Sequence, residues 1–83
     1  MRVEVRAIGL KAIREKRGLT QRKLAHDLGI SQKIPAIEAG ARKPGPKLQP
    51  AMVKYFGVRF EDLFQVVLVN PETGQELLLE RRS

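Results

Sequence analysis

The chain has 83 residues, 42% of them hydrophobic, and sixteen basic against nine acidic residues give it a formal charge of +7. That length closes one small core, and the apolar share excludes a disordered chain. There is no cysteine, hence no disulfide frame and no thiolate metal site, and no apolar run reaches the length of a membrane span or a signal-peptide core. The basic surplus points to a polyanionic partner, a merely solvated surface being the alternative reading. The cations are spread along the chain, unlike the polybasic cluster that binds a membrane surface.

Residues 2–6, RVEVR, alternate charge with valine, so Val3 and Val5 share one face. The stretch reads as a short N-terminal strand needing a partner, or as a frayed terminus. Residues 8–17, IGLKAIREKR, read as a first helix with Leu10 and Ile13 inward and Lys11, Glu15 and Lys16 toward water. Gly18 ends it.

The second helix runs from Thr20, a suitable N-cap, to Leu28, with Leu24, Ala25 and Leu28 at helical spacing and Gly29 as its stop. Gln21, Arg22 and Lys23 occupy its first turn, where cations oppose the helix dipole by a few tenths of a kcal/mol to about 1. A phosphate bound there reverses that sign. His26 lies opposite the apolar face and reads as an exposed, structural residue. Ser31 is placed to cap a third helix, with Gln32 and Lys33 in its opening turn and Ile34 and Ile37 inward. Pro35 requires a helix first turn, so this helix starts late and stays short. Two short helices around one glycine turn suit a helix-turn-helix at about residues 20–39, whose second helix enters a major groove. Glutamine, lysine and serine offer suitable chemistry to base edges and phosphates.

Residues 40–47, GARKPGPK, form a basic loop stiffened by Pro44 and Pro46, presenting Arg42 and Lys43. A fourth helix covers 50–56, with Pro50 at its first position and Met52, Val53 and Phe56 inward. A short fifth segment follows at 60–64, with Phe60, Leu63 and Phe64 on one side. The period then changes: QVVLV (65–69) and QELLL (75–79) flank Asn70-Pro71 and Gly74, the pattern of a β-hairpin. Val67, Val69, Leu77, Leu78 and Leu79 make this hairpin apolar on both faces, which is a liability in a monomer and suggests a twofold dimer. Cover by the N-terminal strand and the helices is the alternative.

LKAIREKRGLTQRKLAHDLGIS, IEAGARKP and FGVRFEDLF occur together, over about residues 9–64, at nearly the spacing of the Cro/phage-repressor-type helix-turn-helix family of transcription regulators, which the chain resembles. The resemblance implies a compact bundle of about five helices. It implies that Gln21 meets a phosphate, that Gln32 and Lys33 face bases, and that Arg42 and Lys43 hold the backbone beyond the recognition helix. It also implies a structural pair, Arg14 with Glu38. The chain departs from the family in four places. The spacing from Gly29 to Ile37 is one residue short. Pro35 and Ala36 stand where polar DNA-facing residues are common. Lys23 replaces the usual acidic residue, and Pro50 interrupts what is normally continuous helix.

The expectation is therefore a mainly α chain, a five-helix helix-turn-helix domain over 1–64 and a dimerising C-terminal hairpin over 65–83. Its function is that of a cytoplasmic, nucleoid-associated, sequence-specific regulator, a dimeric repressor inserting the helix at about 31–39 into a palindromic operator. Contacts to double-stranded DNA fall to Gln21, Arg22, Ser31, Gln32, Lys33, Arg42 and Lys43. Control falls to its own concentration or a regulatory partner protein. A protein-interaction module of the same fold, an antitoxin or co-activator-like adaptor with weak DNA binding, is the rival. No nucleophile–base pair, metal-ligand cluster or phosphate-binding glycine loop stands out, so no enzyme, cofactor or metal is expected.

Overall fold

In a computed structural model that describes residues 1–30 and 33–79, the chain forms five helices and a three-stranded antiparallel sheet. In order these are β1 (Arg2–Arg6), α1 (Leu10–Lys16), α2 (Gln21–Leu28), α3 (Ile34–Glu38), α4 (Leu48–Phe56), α5 (Phe60–Leu63), β2 (Gln65–Val69) and β3 (Glu76–Leu78). Helix accounts for 43% of the structure, and the sheet is larger than a hairpin alone. Among the described residues, no helix is long and apolar enough to cross a membrane.

Each helix contributes one fully buried side chain to a common centre: Leu10, Leu24, Ile34, Met52 and Leu63. Ile37, Phe56 and Phe64 close around them, and Ile13, Leu28, Val53 and Phe60 pack half-buried against the cluster. Burying a residue of this size stabilises by about 1.5–3 kcal/mol, so the helical apolar spacing carries the fold.

Three helix starts differ from the sequence reading, that of α3 being taken up with the interface below. The first helix begins at Leu10 rather than residue 8, with Gly9 at its N-cap donating its N–H to the Leu63 carbonyl, 3.0 Å away. A Cβ on Gly9 would lie 2.0 Å from the Asp62 carbonyl oxygen, so only glycine allows α1 to sit this close to α5. The fourth helix begins at Leu48, which makes Pro50 its third residue rather than its first. First-turn amides have no acceptor within their own helix, so the third position tolerates proline as well as the first.

The N-terminal stretch is a strand. It pairs antiparallel with β2, from Arg2 opposite Val69 to Arg6 opposite Gln65, and β2 pairs on its other side with β3. The hairpin turn is held by Asn70, whose Oδ1 accepts from the Glu72 N–H at 3.0 Å, and by Gly74 at φ +75. The register divides the sheet into two unlike faces. Glu4, Val67 and Leu78 line up on one, together with Arg2, Val69 and Glu76. Val3, Leu68 and Leu77 line up on the other, with Val5 opposite Val66.

Candidate nucleic-acid interface

The α2–turn–α3 unit is built by local chemistry. Thr20 Oγ1 accepts the Lys23 N–H at 3.0 Å, capping α2 although the usual acidic partner is a lysine. Lys23 turns instead to Asp27, one helical turn on, at 2.9 Å. At the other end Gly29 adopts φ +69, and the Ile30 N–H returns to the Ala25 carbonyl at 2.9 Å. Leu24 and Ile34 then meet in the core.

The third helix starts at Ile34, with Lys33 at its N-cap and Pro35 in its first turn. Lys33 therefore precedes the helix rather than lying in its opening turn; the proline ring forbids more than a turn of helix before it. Ser31 and Gln32, the expected cap and base-reading residue, lie outside the described residues. Beyond the helix, the Ala41 and Arg42 N–H groups both donate to the Ala36 carbonyl, at 2.9 and 3.1 Å, so Arg42 leaves directly from the helix end.

A buried ion pair fixes the angle between the three helices. Arg14 Nε donates to Glu38 Oε2 at 2.6 Å and its Nη2 to Oε1 at 3.1 Å, while Nη1 donates to the Leu19 carbonyl at 2.7 Å. Gln21 Nε2 joins the same Oε1 at 2.9 Å. Burial pushes the Glu38 carboxyl up, but its bonds to Arg14 and Gln21 outweigh this and hold it below the usual range. The hydrogen bonds to Glu38 likewise raise the Arg14 guanidinium further against its own burial. One carboxylate thus ties α1, α2 and α3 together, and Gln21 keeps a single amide hydrogen for any other acceptor.

An open groove of about 690 Å³ runs between α2 and α3, lined by Gln21, Arg22, His26, Ile30 and Pro35 among others. Arg22 and Arg42 are exposed, and with Lys33 they have no ion-pair partner among the described residues. Lys43 is differently placed: its Nζ lies 2.7 Å from Glu4 Oε2 on β1. Arg2 reaches that same oxygen at 3.0 Å and Arg6 the other at 3.4 Å. The Lys43 bond and, against burial, those of Arg2 and Arg6 hold the Glu4 carboxyl down to about 2. The alternation of charge in RVEVR signals this face, but a lysine arriving from the loop after α3 has no local signal.

Of the hairpin residues expected at a dimer contact, Val67 and Val69 are buried within the chain at 3% and 6% exposure, whereas Leu77, Leu78 and Leu79 are exposed. His26 is exposed, as its position opposite Leu24 requires.

A capped helix, a glycine turn and a second helix locked to it through a buried carboxylate define a helix-turn-helix domain. A family model described as a helix-turn-helix domain matches residues 8–69. The chain belongs to this family, of the Cro and phage-repressor type, a family of DNA-binding transcription regulators. It is similar to an uncharacterised HTH-type transcriptional regulator of Methanocaldococcus jannaschii, with 48% identity over 56 residues that span 66% of this chain and 85% of that protein.

Proposed function

We propose that the protein is a sequence-specific repressor that binds an inverted-repeat operator as a dimer in the cytoplasm. Each α3, with the residues just before it, enters a major groove, and half-site centres lie about 34 Å apart. The observation that carries this reading is the groove between α2 and α3, lined by Arg22, together with Lys33 at the start of α3 and Arg42 beyond its end, none of which has an ion-pair partner among the described residues. Such cations are free to displace counterions from phosphates, which makes affinity fall steeply with salt. Gln32 and Lys33 would do the base reading, and the short third helix keeps the base-contacting set small. Occupation of promoter DNA is the means of repression, with control by protein concentration or by a partner protein.

The test is selection from a random duplex pool, followed by titration of the winners at two salt concentrations. An enriched inverted repeat is the expected result. Salt-sensitive binding without enrichment would reject base reading. No binding at moderate salt would favour the protein-interaction module on the same fold.

A further inference from the structure

A carboxylate is an unexpected occupant of position 4. Glu4 stands opposite Val67 in the sheet and is only 7% exposed. An ion pair taken out of water returns little net stability, and an apolar residue of similar volume often serves a fold as well. The partners of Glu4 are also in excess. Lys43 and Arg2 both reach Oε2, at 2.7 and 3.0 Å, and Arg6 reaches Oε1 at 3.4 Å. Arg6 is held by Glu76 as well, its Nη1 donating to Oε1 there at 3.0 Å. Arg2 and Arg6 lie on the same strand as Glu4, whereas Lys43 arrives from the loop after α3.

We propose that Glu4 stands in for a DNA phosphate: it binds Lys43 in the free protein and yields it to the nucleic-acid backbone when a duplex docks, so that this exchange sets the affinity for DNA. The proposal rests on the DNA-binding reading above and adds to it a positioning residue that touches no nucleic acid. Lys43 follows Arg42, which leaves directly from the end of α3, so both cations belong to one short loop. The Lys43 side chain is 52% exposed although its ammonium is bound, so it can turn outward without crossing the core. A cleft of about 320 Å³, bordered by Glu4, Arg6, Ile37, Arg42 and Lys43 among others, brings the two cations to one opening. Departure of Lys43 still leaves Glu4 with Arg2 and Arg6. The exchange therefore avoids the uncompensated buried charge that makes breaking such a pair strongly unfavourable.

Carboxylate and phosphodiester offer an ammonium the same thing, a delocalised anion with acceptor oxygens, and the three N–H donors of lysine serve either. One bond of a kind is exchanged for another, so the step is close to balance and reversible. The Glu4 carboxyl is held down to about 2, with the Lys43 bond the largest cause. It is ionised throughout the neutral range, so the duplex and not pH drives the exchange. Linkage makes the effect reciprocal: a duplex that takes Lys43 loosens the loop from β1. Phosphate contacts carry no sequence information, so operator and unrelated duplex feel Glu4 alike.

The test is a double-mutant cycle on the full chain, read as affinity for one mixed-sequence duplex. Glu4→Gln keeps the shape of the side chain and removes the competing charge. It should tighten binding about fivefold, the scale of one charge-assisted bond between partly exposed groups. Lys43→Ala should weaken binding, and in that background Glu4→Gln should change affinity by less than about twofold. The comparison separates the exchange from a general gain of positive charge, which acts in both backgrounds, and from a purely structural role, which moves the melting temperature and not the coupling. Equal effects of Glu4→Gln with and without Lys43 overturn the proposal, as does weaker binding by Glu4→Gln alone. Should Glu4→Gln misfold, the side-chain carboxyl carbon of Glu4 is followed by NMR in the wild type. Its signal should shift on adding duplex and shift far less in Lys43→Ala; a signal unmoved by saturating duplex overturns the exchange. A wild type that binds no duplex at low salt refutes the regulatory reading and this proposal together, whereas binding without coupling refutes the exchange alone.

Discussion

Glu38 does for this domain what a covalent tie would do elsewhere. It is one side chain, nearly inaccessible, joining Arg14 of α1 to Gln21 of α2 from its own place in α3. Replacing it with glutamine leaves the Arg14 charge buried without its counter-ion, and breaking such a pair destabilises by about 3–5 kcal/mol. Urea unfolding of Glu38→Gln should show that loss, and a change under 1 kcal/mol would mean the helices are held by packing alone. Acid should act on the same kind of group. The Tyr55 hydroxyl and Lys23 hold Asp27 down to about 2, as Lys43 holds Glu4. A depressed carboxylate stabilises the fold fully above its unfolded value, near 4, and that contribution disappears as pH falls toward the folded value. The urea midpoint should therefore be flat from pH 7 to about 5 and drop between about 4 and 2. A midpoint still unchanged at pH 2 would contradict the ion-pair assignment.

At the scale of elements, the close approach of α1 to α5 is the most exacting contact. Gly9→Ala puts a methyl against the Asp62 carbonyl, so the two helices must part, at about 1–3 kcal/mol. Gly18→Ala meets no atom within 4 Å and bears only the strain of φ +65, about 1–2 kcal/mol. Thermal melts of the two variants should rank Gly9→Ala as the more damaging. The loop after α3 allows a second comparison. Arg42→Ala should weaken binding to all duplexes alike and lower the salt slope by about 1, with no change in melting temperature. Lys43→Ala removes a partner of Glu4 and should lower the melting temperature as well. Equal melting temperatures would mean the Lys43–Glu4 bond is dispensable. These elements also show what the chain announces of itself. Periodic leucines and isoleucines between glycines delimit α2 and α5 within a residue or two, because helix patterns are local. The late start of α3 follows from Pro35, which is visible. The glycine at position 9 is not legible as a contact, since its reason lies in α5.

For the molecule as a whole, the union of both chain ends in one sheet escapes a local reading altogether. RVEVR shows its alternation plainly, yet nothing within five residues says that its partner is QVVLV. The choice of face follows from that pairing. Once Glu4 stands opposite Val67, Val67 and Val69 are buried within the chain, while Leu77 and Leu78 of β3 stay exposed although they point to opposite faces. The candidate contact cations were legible as types, while their division into paired Lys43 and unpaired Arg42 depended on the same distant register.

That pairing also orders events in time. Arg2 and Val69 stand at opposite ends of the described chain, so β1 can join only after a long loop has closed, and such contacts form late because loop entropy must be lost first. The helices can collapse on local contacts before then. Val5→Ala should accordingly hasten unfolding while leaving the refolding rate nearly unchanged, a low-φ signature in stopped-flow chevrons. The first strand is then the last part of the sheet to join and the first to leave, and a nascent chain would have its helices in place before that strand finds a partner.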